Sequence, residues 1–514
     1  MIVIYHQNNK VVEVVQERAQ LSFSSTNVLN VLLEIAQANP NQLLLWCDYD
    51  LKTNLNFPQI QNIFHHKKIM ASYNPYLNSL LSGAIGYVEE SPFIKINKKV
   101  TYPTWQMSSC AGGIYASVLL DVKNLIPAKG NFEYFLHSIA KLAMENGLFC
   151  YSEPLLLNGD FDKVQIKKNN TFVLFQFVKQ HYKMRWVFLL FLNLFLYERK
   201  VTILPLISSL FYSRRNINKE ILSTIEVCSS KNIAETENID IIIPTIGRKE
   251  FLYDILKDFS LQTHLPAKII IVEQNTNLKS VSELDYVQDE FWPFEIKHIF
   301  THQAGACNAR NLAMAETTNE WVFMADDDIR IDISFLKEAF IQIRKFGLEE
   351  ITFGCYEREY DFNKKYLNEI QWETFGSGCS IVKRKFLKGI QYRKGFEFGY
   401  AEDTDFGMQL RNTGIDIVYI PKPEILHLKA PIGGFRTQPV LEWQDDLIQP
   451  KPSPTVMLYK ILNLSKEEMN GYKTTLFIKF YKLQSIKNPI RYFSNFKKQW
   501  KQSLYWANQL KNRA

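Results

Sequence analysis

The sequence predicts an α/β protein: mostly parallel sheets with helices on both faces, in two such domains joined by a helical segment and followed by a helical tail. Three observations carry this reading. The runs Ile239-Asp240-Ile241-Ile242-Ile243 and Lys268-Ile269-Ile270-Ile271-Val272 lack the polar alternation of a half-exposed strand, so both faces should be buried. Between them, residues 250–261 carry apolar side chains at helical spacing. A buried run ending in Asp-x-Asp occurs twice, at 43–50 and at 321–328.

Size and composition bound the answer. A chain of 514 residues, 46% hydrophobic and 22% charged, is ordinary globular material for two to four domains at roughly 100–200 residues each. The seven cysteines include no C-x-x-C pair, which argues against a zinc ribbon or disulfide framework and for reduced thiols. The first residues, Met1-Ile2-Val3-Ile4-Tyr5-His6, lack the basic-then-apolar pattern of a secretory signal and read as a first strand, so a cytoplasmic location is expected. The apolar runs 186–197 and 201–212 are separated by Glu198-Arg199-Lys200, and each falls short of the roughly 18–20 residues that span a bilayer.

Composition divides the chain into four stretches. Residues 1–165 and 236–440 alternate strand and helix signals, 166–235 is an apolar and basic helical linker, and 441–514 is a basic aromatic tail beginning near Pro450, Pro452 and Pro454. From residue 451 onward thirteen Lys and Arg face only Glu467 and Glu468, a local net of +11 that leaves −4 for the rest. Interleaved with Tyr492, Phe496 and Trp500, that charge suits a helix lying peripherally on an anionic membrane face. It equally suits a helix packing its aromatics on the main domain. Nucleic acid is not expected as a partner, because no recognition motif accompanies the charge.

Chemistry is expected at the carboxyl ends of the strands, where open α/β sheets bind ligands. Asp326-Asp327-Asp328 follows the strand Trp321-Val322-Phe323-Met324. Three carboxylates there suit Mg²⁺ or Mn²⁺, or a solvated turn capping the next helix. Glu402-Asp403-Thr404-Asp405 opens a helix, whose dipole favours the ionised form that a general base requires; helix capping alone would also explain an Asp here. His427 suits a metal ligand or a structural imidazole. The turn Gly376-Ser377-Gly378-Cys379-Ser380 lets backbone approach a ligand closely, and Trp372 nearby suits either a sugar-stacking ring or a core position.

Taken in order, Ile243-Pro244-Thr245-x-x-Arg248, Val272-Glu273, Ala309-Arg310-Asn311, Asp326-x-Asp328, Gly376-x-Gly378, Glu402-Asp403 and His427 resemble glycosyltransferase family 2, with a GT-A fold, over about residues 239–436. The resemblance implies a nucleotide-sugar pocket of Thr245, Arg248, Glu273, Arg310, Asp326 and Asp327, with UDP-sugar the first choice of donor. It implies metal binding at Asp328 and His427, Asp403 as base, Glu402 on the acceptor hydroxyls, and Gly378 and Trp372 at the donor–acceptor junction. One departure is plain: the family usually has Asp followed by Gly-Ser where this chain reads Glu273-Gln274-Asn275.

The first stretch echoes the third. Besides the two Asp-x-Asp strands, Ser109-Cys110-Ala111-Gly112-Gly113-Ile114 resembles 376–381, and only Glu133 stands near where Glu402-Asp403 would fall. Residues 1–165 are therefore expected to be a diverged, non-catalytic GT-A-like domain. The expected function is inverting, metal-dependent transfer of a sugar to a saccharide or lipid-linked saccharide in surface polysaccharide assembly, at the cytoplasmic membrane face. The rivals are a non-catalytic carbohydrate-binding scaffold and a nucleotidyltransferase; the second should show a Gly-rich phosphate loop with Lys, which 244–248 lacks.

Overall fold

The computed structural model describes residues 1–513 except 18, 77–79, 89–92, 124–125, 127–129, 162–169, 217–220, 358–365 and 432–439. The boundary expected near 165 and the end of the family resemblance near 436 lie outside the described residues. The chain forms two compact units, residues 1–231 with 464–480 and residues 232–463 with 481–514. This differs from the four-part division read from composition, because both the linker and the tail bury apolar faces within the units.

The first unit contains β1 (Ile2–Gln7), β2 (Lys10–Gln16), β3 (Ala19–Gln20), α1 (Val28–Ala38), β4 (Leu43–Asp48), α2 (Phe57–Ile63), β5 (Ile69–Tyr73), β6 (Tyr102–Pro103), β7 (Ala111–Tyr115), α3 (Ala116–Lys123), α4 (Phe132–Ala143), β8 (Phe149–Ser152), α5 (Thr171–His181), α6 (Met184–Glu198) and α7 (Ile203–Leu210). Among the described residues its sheet runs β3-β2-β1-β4-β7-β5-β8-β6. Asn8 and Asn9, both at positive φ, make the two-residue turn between β1 and β2, a conformation Asn tolerates well. The expected linker is instead core: α5 buries Leu174, Phe175, Phe177 and Val178 in one cluster with β1, β4 and α4. Each such burial stabilises by about 1.5–3 kcal/mol.

The second unit contains β9 (Ile239–Thr245), α8 (Lys249–Ser260), β10 (Lys268–Gln274), α9 (Tyr286–Asp289), β11 (Glu295–Thr301), α10 (Ala306–Ala315), β12 (Trp321–Ala325), β13 (Ile329–Arg330), α11 (Phe335–Phe346), β14 (Glu350–Glu357), β15 (Ile370–Gln371), β16 (Cys379–Lys383), α12 (Glu402–Arg411) and β17 (Val418–His427). The helices α13 (Pro454–Asn463), α14 (Lys466–Leu483) and α15 (Pro489–Lys511) follow, the greater part of α14 belonging to the first unit. The sheet runs β11-β10-β9-β12-β16-β14-β17-β13, with β15 on β17. β9, β10, β11 and β12 pair in parallel, and every residue of β10 is buried, as the unbroken apolar runs predict. The sheet is nonetheless mixed, because β16 runs antiparallel between β12 and β14.

That reversal sets the site. The amino end of β16 lies at the same edge as the carboxyl ends of β9, β10, β12 and β17, so Gly376-Ser377-Gly378 meets Asp326. In the tail, α15 buries Tyr492, Phe496 and Trp500 at i, i+4 and i+8. This aromatic face is spent on packing within the second unit.

Candidate functional site

The acidic triplet divides by side chain. Asp327 is buried, accepting from Thr245 Oγ1 at 2.7 Å and Arg248 Nη1 at 2.5 Å. Burial pushes its carboxyl up to about 6, against the pull of Arg248. Thr245 and Arg248, expected on the nucleotide, are thus engaged by Asp327. Asp328 is also buried, but accepts from Ala430 N–H at 2.9 Å and lies 3.3 Å from His427 Nε2 and 3.4 Å from Arg248. Burial would raise it, yet the hydrogen bonds from His427 and Ala430 and the Arg248 charge hold it down near 2. The same contact raises His427.

Asp326 alone faces outward, its side chain 34% exposed, and it accepts from Arg310 Nη2 at 2.9 Å. Arg310 lies with its guanidinium 5.6 Å from the Tyr392 ring centre, and neighbouring Asn311 grips the Tyr392 backbone through Nδ2 and Oδ1. The Ala309-Arg310-Asn311 motif therefore fixes one loop and one carboxylate. Gly378 permits a close approach here: a Cβ would lie 2.1 Å from the Asp326 carboxylate, which would have to shift.

Glu402 and Asp403 form the first turn of α12, entered through Phe398 and Ala401 at positive φ. Strain of this kind is concentrated where a side chain must be aimed. The Ser377 hydroxyl donates to Asp403, and Tyr392 Oη lies 2.6 Å from the same hydroxyl. Burial raises Asp403 while Arg310 and Ser377 oppose it, and burial together with the Asp403 charge pushes Glu402 up to about 7. Asp405, in contrast, is wholly structural, held by Arg393, Gln409 and Asn463.

Two expected residues sit differently. Glu273 accepts from Ser282 Oγ, Glu283 N–H and His298 Nε2, at 2.6, 3.0 and 2.9 Å; these bonds overcome burial and lower its pKa. It braces the 282–283 loop, the job its longer side chain suits. Trp372 belongs to a ring cluster with Tyr366 and Tyr419, at 4.9 and 5.2 Å.

Sequence reading missed Ser377 as a donor, Tyr392 as the hub and Glu397. The Glu397 carboxylate accepts from Cys307 and Asn308 N–H at 3.0 and 2.9 Å, occupying the positive end of α10. Gly305 just before that helix was the available signal, since a Cβ there would strike Glu397.

Residues 240–401, within the second unit, match the sequence model of glycosyl transferase family 2. No curated protein sequence matches the chain. Among solved structures, S. aureus TarS matches 46% of this chain at 16% identity with a TM-score of 0.33, over 42% of its own chain. This chain thus spans under half of TarS. TarS 1–349 in complex with UDP-GlcNAc matches at 17% identity and a TM-score of 0.35, covering 46% of this chain and 70% of that one. GalNAc-T7 with UDP, GalNAc and Mn²⁺ matches at 11% identity and 0.31, over 39% and 45% of the two chains.

Proposed function

We propose that the second unit transfers a sugar, with inversion, from a nucleoside diphosphate sugar, UDP first among donors, to a saccharide hydroxyl. The observation that supports this best is the line Asp403–Ser377 and Arg310–Asp326, a half-buried carboxylate set beside a fixed cation at the carboxyl edge of the sheet.

Asp403 takes the acceptor hydroxyl proton, the acceptor oxygen bonds to the anomeric carbon, and the bond from that carbon to the phosphate oxygen breaks. The diphosphate leaves with the electron pair. Ser377 keeps Asp403 aimed, and Arg310 holds Asp326 toward the donor. Glu402, titrating near 7, is suited to binding acceptor hydroxyls as a donor or an acceptor of hydrogen bonds.

Asp328 and His427 fit a divalent cation: one hard carboxylate and one imidazole lie 3.3 Å apart, and among the described residues no third metal-ligating side chain joins them. That donor set would suit Mg²⁺ or Mn²⁺. When bound, the cation would offset the charge of the leaving diphosphate.

For the acceptor, a lipid-linked saccharide in polysaccharide assembly at the cytoplasmic membrane face is the reading we favour, on the surface of α6 and α7. There Phe188, Leu204 and Phe211 are exposed, Phe211 by 85%, beside Arg185, Arg199 and Lys200. Amphipathic helices of this composition lie in membrane interfaces, whereas no helix among the described residues is long and apolar enough to cross one.

The test of the transferase reading is Asp403→Asn. Transfer from UDP-sugars should fall by about 10²–10⁴ with UDP binding retained; transfer within a few fold of the parent rate would remove Asp403 from the role.

A further inference from the structure

One half of the two sheets corresponds residue by residue. β4 pairs with β7 from Leu43–Tyr115 to Cys47–Ala111, as β12 pairs with β16 from Trp321–Lys383 to Ala325–Cys379. In both units the next residues are Asp-x-Asp, at Asp48 and Asp50 and at Asp326 and Asp328. β5 pairs antiparallel with β7 and parallel with β8, as β14 does with β16 and β17. The short strands β6 and β15 cover β8 and β17 at the same position.

This register carries over to side chains. Ser109 stands two residues before β7, as Ser377 stands two before β16. Glu133 is the second residue of α4, as Asp403 is the second of α12. The pair is kept: Ser109 Oγ lies 3.5 Å from Glu133 Oε2, and Ser377 donates to Asp403.

What differs is the nucleotide half. Where the second unit runs β9-α8-β10-α9-β11-α10, the first has, among the described residues before β4, only the antiparallel β1–β2–β3 ribbon and α1. The strand bearing Glu273 and the loop bearing Arg248 therefore have no counterpart, so the first unit retains the acceptor side of the arrangement without the donor side.

A cleft opens at that edge of the first unit, its lining including Tyr73, Asn74, Lys98, Tyr102, Gln106 and Glu133. Planar amide and carboxylate groups beside tyrosine rings match the alternating hydroxyls and C–H faces of a sugar. Glu133 disfavours a phosphate there.

We infer that this cleft of the first unit is a second saccharide site, binding a sugar unit of the acceptor through Glu133, Gln106 and Asn74 without catalysing transfer. The assignment to the acceptor rests on the transferase reading above; the site itself rests on the cleft and the register.

The experiment titrates the full chain with mono- to hexasaccharides of glucose, galactose, glucuronic acid and their N-acetylhexosamine counterparts, and separately with UDP. The parent, Glu133→Gln and Gln106→Ala are compared, their circular dichroism and melting temperatures checked. A saccharide whose binding weakens roughly tenfold in both variants, with UDP binding unchanged, is the expected result. Saccharide binding equal in parent and both variants, or none tighter than about 10 mM, would overturn the inference. Failure of the transferase reading appears separately, as absence of UDP binding to the parent.

Discussion

The Arg248 guanidinium bridges two neighbours, lying 2.5 Å from Asp327 Oδ1 and 3.4 Å from Asp328 Oδ2. The contact joins the loop after β9 to the turn after β12, so Arg248 serves to keep two buried carboxylates together. Arg248→Ala should therefore act on the fold as well as on nucleotide affinity. Leaving a buried carboxylate unpaired typically costs about 3–5 kcal/mol, and a denaturant midpoint unchanged from the parent would show that Asp327 takes up a proton without penalty.

Gly378→Ala tests the close approach of Asp326. The new Cβ would lie 2.1 Å from that carboxylate, forcing Asp326 off Arg310. Transfer should fall by at least about tenfold while melting changes by only a few degrees; parent-like kinetics would mean that Asp326 has room to move.

How much of this was legible beforehand follows from the kind of signal each residue carries. β9, β10 and β12 are continuous apolar runs, and α8 and α10 have helical periodicity; local pattern alone places them. The antiparallel insertion of β16 has no such signature, because direction in a sheet is a property of the connections. Tyr392 and Glu397 lie in a stretch without periodicity, and their partners Ser377, Asn311 and the α10 N-terminus are 15 to 90 residues away. Residues 166–235 and the tail were legible as helical, but a sequence does not say which core an apolar face joins. In α5 it joined the first unit, and in α15 the second.

The pH dependence follows from the raised carboxyls. Asp403 acts ionised, and its pKa lies above the usual value because of burial and the Asp326 charge, so the acid limb of transfer should lie above the ordinary Asp range. Glu402, pushed up to about 7 by burial and the Asp403 charge, loses its proton after Asp403 and is neutral on the acid limb. Glu402→Gln should therefore leave the limb in place, and Ser377→Ala, which removes a bond favouring the ionised form of Asp403, should move it higher. A limb moved to lower pH by Ser377→Ala would contradict the assignment of the base.

Membrane contact is tested by substitution on α7. Leu204→Ser with Phe211→Ser removes two exposed apolar side chains, at 72% and 85% exposure, that bury nothing within the first unit. The partition constant onto anionic vesicles should drop by at least about a hundredfold if both side chains are buried in the interface, at about 1.5–3 kcal/mol each. Unchanged pelleting would place any membrane contact elsewhere. Removing the tail instead would confound the result, because α14 and α15 are integral to the two units.

The central claim is nucleotide-sugar chemistry at Asp326, Asp328 and His427. Its most direct test is calorimetric titration of the full chain with UDP, GDP, CMP and dTDP, each with and without Mn²⁺, repeated on Asp328→Asn. Metal-dependent binding of one nucleotide, UDP first, that is lost in the variant is the expected result; binding of none, or binding indifferent to both metal and substitution, would contradict nucleotide-sugar chemistry at this site.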